Sequence, residues 1–257
     1  MAVAPPEPRS ILITGGSSGL GAALARSYAA PGVALALTGR DEARLSEVAH
    51  LCREAGAEVE SASLSVTDGP ALRDWITGFD GRHPLDLVVA NAGRSAGTGG
   101  DGEGEQQTRD IFEVNLTGVL NTVLPALEGM RARGRGQVAI MASLAAFRGF
   151  PGAPAYCASK AAVRVWGESL RSHLAAEGIA VSVICPGFVK TRMTAVNRFP
   201  MPLLMEADAA AQVIRRGLAR NRARIAFPWP LASLVWLIAA LPPGLVDSLL
   251  ARLPRKD

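Results

Sequence analysis

The 257-residue sequence predicts an α/β fold with a single doubly wound parallel sheet, helices on both faces and an apolar helical tail. Short β-rich segments alternate with longer helical segments, which is typical of a parallel sheet. Each predicted strand is a continuous apolar run, as expected for strands covered on both faces. Hydrophobic residues make up 49% of the chain and charged residues 19%, so a sizeable core can form and intrinsic disorder is excluded.

The predicted elements follow one another with short connections. Asp41 and Asp68 each precede a helix, and an aspartate at this position can accept hydrogen bonds from free backbone amides. In the helix after Asp41, Leu45, Val48 and Leu51 are expected to share the buried face. The predicted strands span residues 9–14, 33–38, 57–64, 85–90, 136–143, 179–185 and 223–227, and the later helices span about 106–133, 154–177 and 206–220.

Composition and the N-terminal sequence narrow the class of protein. No internal repeat or linker divides residues 1–257, so we expect one domain with 228–257 as an apolar extension. The first eight residues, MAVAPPEP, lack the regions of a secretory signal. Three widely spaced cysteines fit a reducing, cytoplasmic location, and three scattered histidines indicate no metal site. A net charge of +4 is too small to indicate nucleic-acid binding.

The first predicted strand runs into a glycine-rich turn, TGGSSGLG, at residues 14–21. Such a strand-to-helix turn lets the backbone approach a pyrophosphate, and the amides at the helix N-terminus then face the negative charge. The spacing G-x-x-x-G-x-G differs from the common G-x-G-x-x-G motif, and a plain glycine-rich turn is the alternative. The residues predicted to bind the cofactor here are Gly15, Ser17, Ser18, Gly19, Leu20 and Gly21.

The end of the second predicted strand indicates which nicotinamide cofactor binds. An acidic residue near this point would hold the ribose 2′-hydroxyl of NAD. Gly39 offers no carboxylate, whereas the Arg40 guanidinium suits a 2′-phosphate. We therefore expect NADP(H) to be favoured over NAD(H). Asp41 is interpreted as a helix cap; if it faced the ribose, the preference would shift to NAD.

The segment AYCASKAA places Tyr156 and Lys160 four residues apart, so in a helix the phenol and the ammonium share one face. Ser143 ends the fifth predicted strand and Asn91 follows the fourth. Ligands of open parallel sheets bind at the carboxyl ends of the strands. These residues and the glycine-rich turn are therefore predicted to meet at one edge of the sheet.

The residue types suit interconversion of a carbonyl and a secondary alcohol. Hydride addition to a ketone makes an alkoxide, and the Tyr156 phenol could supply the proton that the alkoxide needs. The nearby Lys160 ammonium is expected to lower the phenol pKa, since an opposite charge favours the phenolate. The Ser143 hydroxyl could donate a hydrogen bond to the carbonyl oxygen, where charge develops.

With these motifs the chain resembles a short-chain dehydrogenase/reductase of the single-domain branch over about residues 9–227. The resemblance is carried by TGGSSGLG, by NAG at 91–93, by VNLTG, by YCASK and by PGFVKT at 186–191. It implies a Rossmann-like, dinucleotide-binding and catalytic domain, and a homodimer or homotetramer paired through the long helices. The implied catalytic residues are Asn115, Ser143, Tyr156 and Lys160.

The resemblance also implies particular roles at the cofactor. Lys160 would bind the nicotinamide ribose, and Asn115 would bend its helix and hold a water that relays protons to Lys160. An acidic residue after the third strand would face the adenine, and Leu64 and Ser65 stand there in this chain. The further implied cofactor contacts are Asn91, Ala92, Gly93, Tyr156, Pro186, Gly187, Val189 and Thr191.

The tail is more apolar than the rest of the chain. Residues 228–253 combine tryptophan, leucine and isoleucine with basic residues on either side, so they could contact a membrane surface peripherally. We favour a helical pair that covers the substrate cleft or packs against another subunit. Either arrangement indicates an apolar or lipid-like substrate.

Three functions remain open from the sequence. The first is an NADP(H)-dependent oxidoreductase acting on a small-molecule carbonyl or alcohol, which the complete set of catalytic residues favours. The second is a non-catalytic NADP-binding regulatory or scaffold protein with the same fold. The third is a peripheral membrane enzyme acting on a 3-oxoacyl compound or a long-chain ketone.

Overall fold

The computed structural model describes residues 6–95, 103–197, 199–242 and 244–246. Within these ranges, seven parallel strands form one sheet in the order β3-β2-β1-β4-β5-β6-β7. This order confirms the predicted doubly wound parallel sheet. The strands are β1 (Ser10–Thr14), β2 (Ala34–Thr38), β3 (Glu58–Ala62), β4 (Leu87–Ala90), β5 (Gly136–Met141), β6 (Ile179–Pro186) and β7 (Arg224–Phe227).

Helices cover both faces of the sheet. Asp41 and Asp68 cap two of them as predicted, each accepting a hydrogen bond from the backbone amide three residues later. The helices are α1 (Gly19–Tyr28), α2 (Glu42–Glu54), α3 (Gly69–Arg82), α4 (Glu105–Phe112), α5 (Gly118–Arg133), α6 (Pro154–Leu174), α7 (Arg192–Ala195), α8 (Ala207–Ala219) and α9 (Trp229–Ala240).

Alternate residues of the strands enter two separate hydrophobic cores. Ile11 and Ile13 of β1 pack in the core beneath α1, α2 and α8, whereas Leu12 packs in the core beneath α3, α5 and α6. All three side chains are fully buried. The centre of β1 is therefore apolar on both faces, because helices cover both. The edge strand β3 departs from the predicted apolar run: its sequence is EVESA and only Val59 is buried.

Two helical predictions need correction. Leu51 is 41% exposed, and Cys52 takes the buried position in α2 with Leu45 and Val48. Cys52 fits this face better because it follows Val48 by four residues and Leu45 by seven. The predicted helix 106–133 is also not continuous: a π-helical turn at Glu113–Thr117 separates α4 from α5. Asn115 lies at the centre of this turn and is fully buried.

Helix α9 forms most of the described part of the apolar tail, which also includes residues 241–242 and 244–246. Val235 is buried, whereas Trp229 is 77% exposed and Trp236 is 62% exposed. None of the helices in the described part of the chain is long and apolar enough to cross a membrane. Residues 247–257 of the predicted extension lie outside the described residues. They include the end of the proposed membrane-contact segment, 228–253.

Candidate active site

A cleft of about 590 Å³ opens at the carboxyl ends of β1, β4, β5 and β6. Its size is within the range of small-molecule sites. Apart from Gly21 and Asn115, which support it from behind, every site residue predicted from the sequence lines this cleft. The predicted residues that line it are Gly15, Ser17, Ser18, Gly19, Leu20, Arg40, Asn91, Ala92, Gly93, Ser143, Tyr156, Lys160, Pro186, Gly187, Val189 and Thr191.

The glycine-rich turn packs so tightly that side chains are excluded. Gly15 has a φ of +69°, which favours glycine, and a Cβ on Gly21 would lie 2.2 Å from the Gly15 carbonyl oxygen. The Asn91 side-chain amide donates to the carbonyl oxygens of Thr14 and Gly15 at 2.9 and 3.3 Å. These contacts hold the turn against the end of β4 and leave an open backbone cradle suited to a dinucleotide pyrophosphate.

The cleft carries two arginines at the end of β2. Arg40 and Arg44 both line it beside Ser17. The Arg44 Nε atom is buried and has no hydrogen-bond partner among the described residues, while its Nη2 lies 2.7 Å from Asp41 Oδ2. Asp41 accepts from the Arg44 backbone amide at 3.0 Å, as the predicted helix cap, and it also lines the cleft. Arg44 was not predicted from the sequence, although its spacing from Arg40 could have indicated it.

Tyr156, Lys160 and Ser143 meet on one wall of the cleft. Ser143 and Tyr156 both line this wall, and Lys160 Nζ lies 5.9 Å from the centroid of the Tyr156 ring. The Lys160 side chain is buried, and its ammonium donates to the Met141 carbonyl oxygen at 2.9 Å. Burial lowers the pKa of Lys160 to about 8.

The expected lowering of the Tyr156 pKa by Lys160 is wrong for this geometry. Burial raises the pKa of the phenol above its usual value, and the hydrogen bond from Ser143 opposes that rise. The Lys160 ammonium is directed at Met141 rather than at the phenol oxygen. The phenol therefore keeps its proton over the physiological range, which suits a proton donor better than a base.

Asn115 braces the site from the π-helical turn. Its Oδ1 atom accepts from the Arg94 amide at 2.7 Å, and its Nδ2 atom donates to the Arg94 carbonyl at 2.9 Å. Nδ2 also donates to Ser159 Oγ at 3.0 Å, and that hydroxyl donates to the Tyr156 carbonyl at 2.8 Å. The side chain thus connects the loop after β4 to the helix that carries Tyr156. Ser159 was not singled out from the sequence.

The opposite wall follows β6. Thr191 caps α7, and the side chains and amides of Thr191 and Thr194 bond reciprocally. Gly187 lies against the start of α9, because a Cβ there would sit 2.9 Å from Leu231 Cδ2. Among the described tail residues, none lines the cleft, so α9 does not cover it, which was the first of the two arrangements predicted for the tail.

The histidines lie away from the cleft, as expected. His50, His83 and His173 each face a glutamate on the surface. In the part of the chain that the structure describes, no group of three histidine, cysteine, aspartate or glutamate side chains could hold a metal ion.

Comparison with known proteins places this arrangement in a family. The family model described as short chain dehydrogenase matches residues 9–200. An uncharacterized oxidoreductase of Myxococcus xanthus is 40% identical over 246 residues, which are 95% of this chain and 97% of the relative.

Two solved structures are similar at 25% identity. A short chain dehydrogenase of Mycobacterium paratuberculosis bound to NAD has a TM-score of 0.74 and covers 85% of this chain and 94% of its own. A 3-ketoacyl-ACP reductase of Sinorhizobium meliloti has a TM-score of 0.75, with coverage of 88% and 99%. The chain therefore belongs to the short-chain dehydrogenase/reductase family of nicotinamide-dependent oxidoreductases, as its motifs predict.

Proposed function

We propose that the chain is an NADP(H)-dependent reductase that interconverts a ketone and a secondary alcohol on an apolar, lipid-like substrate. The observation that carries the proposal is the placement of Ser143 and Tyr156 beside the buried Lys160, in a cleft with a glycine cradle. The S. meliloti structure, a 3-ketoacyl-ACP reductase, supports a carbonyl substrate by analogy.

The catalytic residues would divide the reaction between them. When bound, the cofactor supplies the hydride that the ketone carbon accepts. Ser143 donates a hydrogen bond to the ketone oxygen and stabilises the negative charge that develops there. Tyr156 transfers its phenolic proton to that oxygen, which completes the alcohol and leaves a phenolate. Lys160 holds its ammonium close to this phenolate, and Asn115 keeps the supporting loop in place.

In the proposed complex, an NADP(H) molecule would extend along the strand ends. Gly15, Gly19 and Gly21 provide the backbone cradle for the pyrophosphate, and the loop at 91–93 faces it from β4. Pro186, Val189 and Thr191 would contact the nicotinamide end. Leu64 and Ser65 line the cleft where the adenine would lie, and they offer no carboxylate.

Replacing Arg40 or Arg44 with alanine is expected to raise KM for NADPH about 10-fold or more and to leave KM for NADH nearly unchanged. Each guanidinium can form charge-assisted hydrogen bonds to a 2′-phosphate, which contribute about 1.5–3 kcal/mol each. Steady-state kinetics with both cofactors measure the effect. Arg53→Ala is the matched control, because Arg53 lies on α2 like Arg44 and its guanidinium donates to the Val59 carbonyl outside the cleft. Equal losses with NADPH and NADH would contradict a phosphate-binding role.

The proposed substrate class is tested with a panel of ketones and 3-oxoacyl thioesters of increasing chain length, with NADPH oxidation followed by absorbance. We expect kcat/KM to rise with chain length, because each buried methylene contributes about 0.8 kcal/mol, or about fourfold. Turnover of small polar ketones alone would contradict the apolar assignment. No turnover of any ketone would favour the second reading, a regulatory or scaffold protein that only binds NADP.

Exposed apolar side chains favour assembly into a homo-oligomer. Leu124 on α5, Val165 on α6 and the tryptophans of α9 are all exposed in the single chain. We propose that a second subunit covers these faces. Light scattering gives the mass of the assembly. Co-sedimentation with phospholipid vesicles tests the alternative, a peripheral membrane contact through α9 and the residues that follow it.

A further inference from the structure

Helix α6, which carries Tyr156 and Lys160, begins without a cap from its own segment. Ala153 precedes the helix and contributes no side-chain hydrogen bond. Pro154 has no amide hydrogen, and the Cys157 amide already donates to the Ala153 carbonyl at 2.9 Å. The amides of Ala155 and Tyr156 are the two donors of the first turn that need an acceptor from elsewhere.

Glu103 supplies both acceptors from a distant part of the chain. Its Oε2 atom accepts from the Ala155 amide, and its Oε1 atom accepts from the Tyr156 amide at 3.3 Å. The carboxylate also faces the positive end of the α6 dipole, where a negative charge is stabilising. Glu103 thus makes the contacts of a helix cap, although about fifty residues separate it from α6.

The packing of α4 on α6 holds Glu103 next to the first turn of α6. It lies directly before Gly104, which precedes α4, and α4 packs on α6 through Ile111 and Ala155. The Tyr156 ring packs on the same pair. Glu103 and Ile111 therefore hold the first turn of α6 from two directions.

We propose that Glu103 is a positioning residue for Tyr156, an inference that rests on the proposed function. Tyr156 lies in the first turn of α6, where helices fray, whereas Lys160 lies one turn further in and is held by Met141. Without the carboxylate, the first turn loosens and the phenol moves relative to Ser143 and the ketone. A displacement of about 1 Å can slow a reaction about 100-fold.

The test compares Glu103→Ala and Glu103→Gln with wild-type protein and with Glu105→Ala. Glu105 is a matched control because it belongs to the same segment, is exposed and pairs only with Arg109 in the contacts described. Hydrogen exchange of peptides covering residues 153–160 reports the cap directly, without any need for activity. Fluorescence titration gives the NADPH dissociation constant, and steady-state kinetics give kcat.

For Glu103→Ala we expect faster exchange at Ala155 and Tyr156, a kcat lower by about 10-fold or more, and an NADPH dissociation constant within about twofold of wild type. Glu103→Gln should give intermediate exchange rates and an intermediate kcat, because its single amide oxygen readily accepts from only one of the two amides, Ala155 or Tyr156. If the Glu103→Ala variant does not fold, the Glu103→Gln variant still tests the proposal.

Unchanged exchange in both variants, or unchanged kcat, would overturn the proposal. The proposal would also be overturned if kcat fell together with an equal loss of NADPH affinity and with faster hydrogen exchange throughout the sheet. If the wild-type protein reduces no ketone, the proposed function fails, while the exchange measurement still decides whether Glu103 caps α6.

Discussion

Replacing Tyr156 with phenylalanine is expected to lower kcat for ketone reduction by about 10²- to 10⁴-fold, the usual contribution of a positioned proton donor. Phenylalanine keeps the ring and its packing on Ile111 and Ala155, but the transferable proton is lost. The NADPH dissociation constant should change little, because the glycine cradle is untouched. Steady-state kinetics and fluorescence titration measure the two quantities.

Tyr28 provides the control, because the sequence contains two tyrosines. Tyr28 lies buried in the core on α1, where burial raises its pKa to about 12 and Arg215 stacks over its ring. Tyr28→Phe should keep kcat within about twofold of wild type, since the residue lies outside the cleft. A Tyr156→Phe enzyme with wild-type kcat would mean that another group delivers the proton.

Replacing Lys160 with methionine is expected to lower kcat by about 10²-fold or more and to remove the alkaline limb of the pH profile. Methionine retains most of the buried stem but removes the ammonium beside Tyr156. The wild-type pKa of Lys160 is about 8, so the ammonium loses its proton as the pH rises through this value. The raised pKa of Tyr156 keeps the phenol protonated over the same range. Wild-type kcat/KM should therefore fall above about pH 8 as Lys160 loses its proton.

Lys190→Met is the matched control for this experiment. Lys190 is exposed and pairs with Glu206 at 3.0 Å, outside the cleft lining. Its removal should leave kcat and the pH profile as in wild type. An alkaline limb that persists unchanged in Lys160→Met would assign the titration to a different group.

The sheet and the cleft wall that carries Ser143, Tyr156 and Lys160 could be predicted because both depend on local sequence patterns. Apolar runs separated by amphipathic helices specify a covered parallel sheet, and strand ends in such a sheet share one edge. Asp41 and Asp68 cap helices through side chains three residues from their partners, which is visible in the sequence. Helical spacing likewise places Tyr156 and Lys160 on one face.

The features that could not be predicted depend on contacts between distant residues. Glu103 reaches α6 across about fifty residues, and no periodic pattern marks a cap supplied in this way. The resemblance implies a bend at Asn115, but helical periodicity by itself predicts one continuous helix and not the π-helical turn there. The raised pKa of Tyr156 was also not predicted. Helical spacing places Lys160 near the phenol, but it does not show that the Met141 carbonyl accepts from the ammonium or that the phenol is buried.

The most direct test is a single-turnover reduction of the best ketone by enzyme preloaded with NADPH that is deuterated at the transferred position. This measurement separates chemistry from product release, which can limit kcat. Wild-type and Tyr28→Phe proteins should give a fast loss of reduced-nicotinamide absorbance and an alcohol with one deuterium on the carbinol carbon. Tyr156→Phe should show that phase slowed by at least about 10²-fold. A Tyr156→Phe phase as fast as wild type would contradict proton delivery by Tyr156. An alcohol without deuterium would contradict hydride transfer from the cofactor to the ketone carbon.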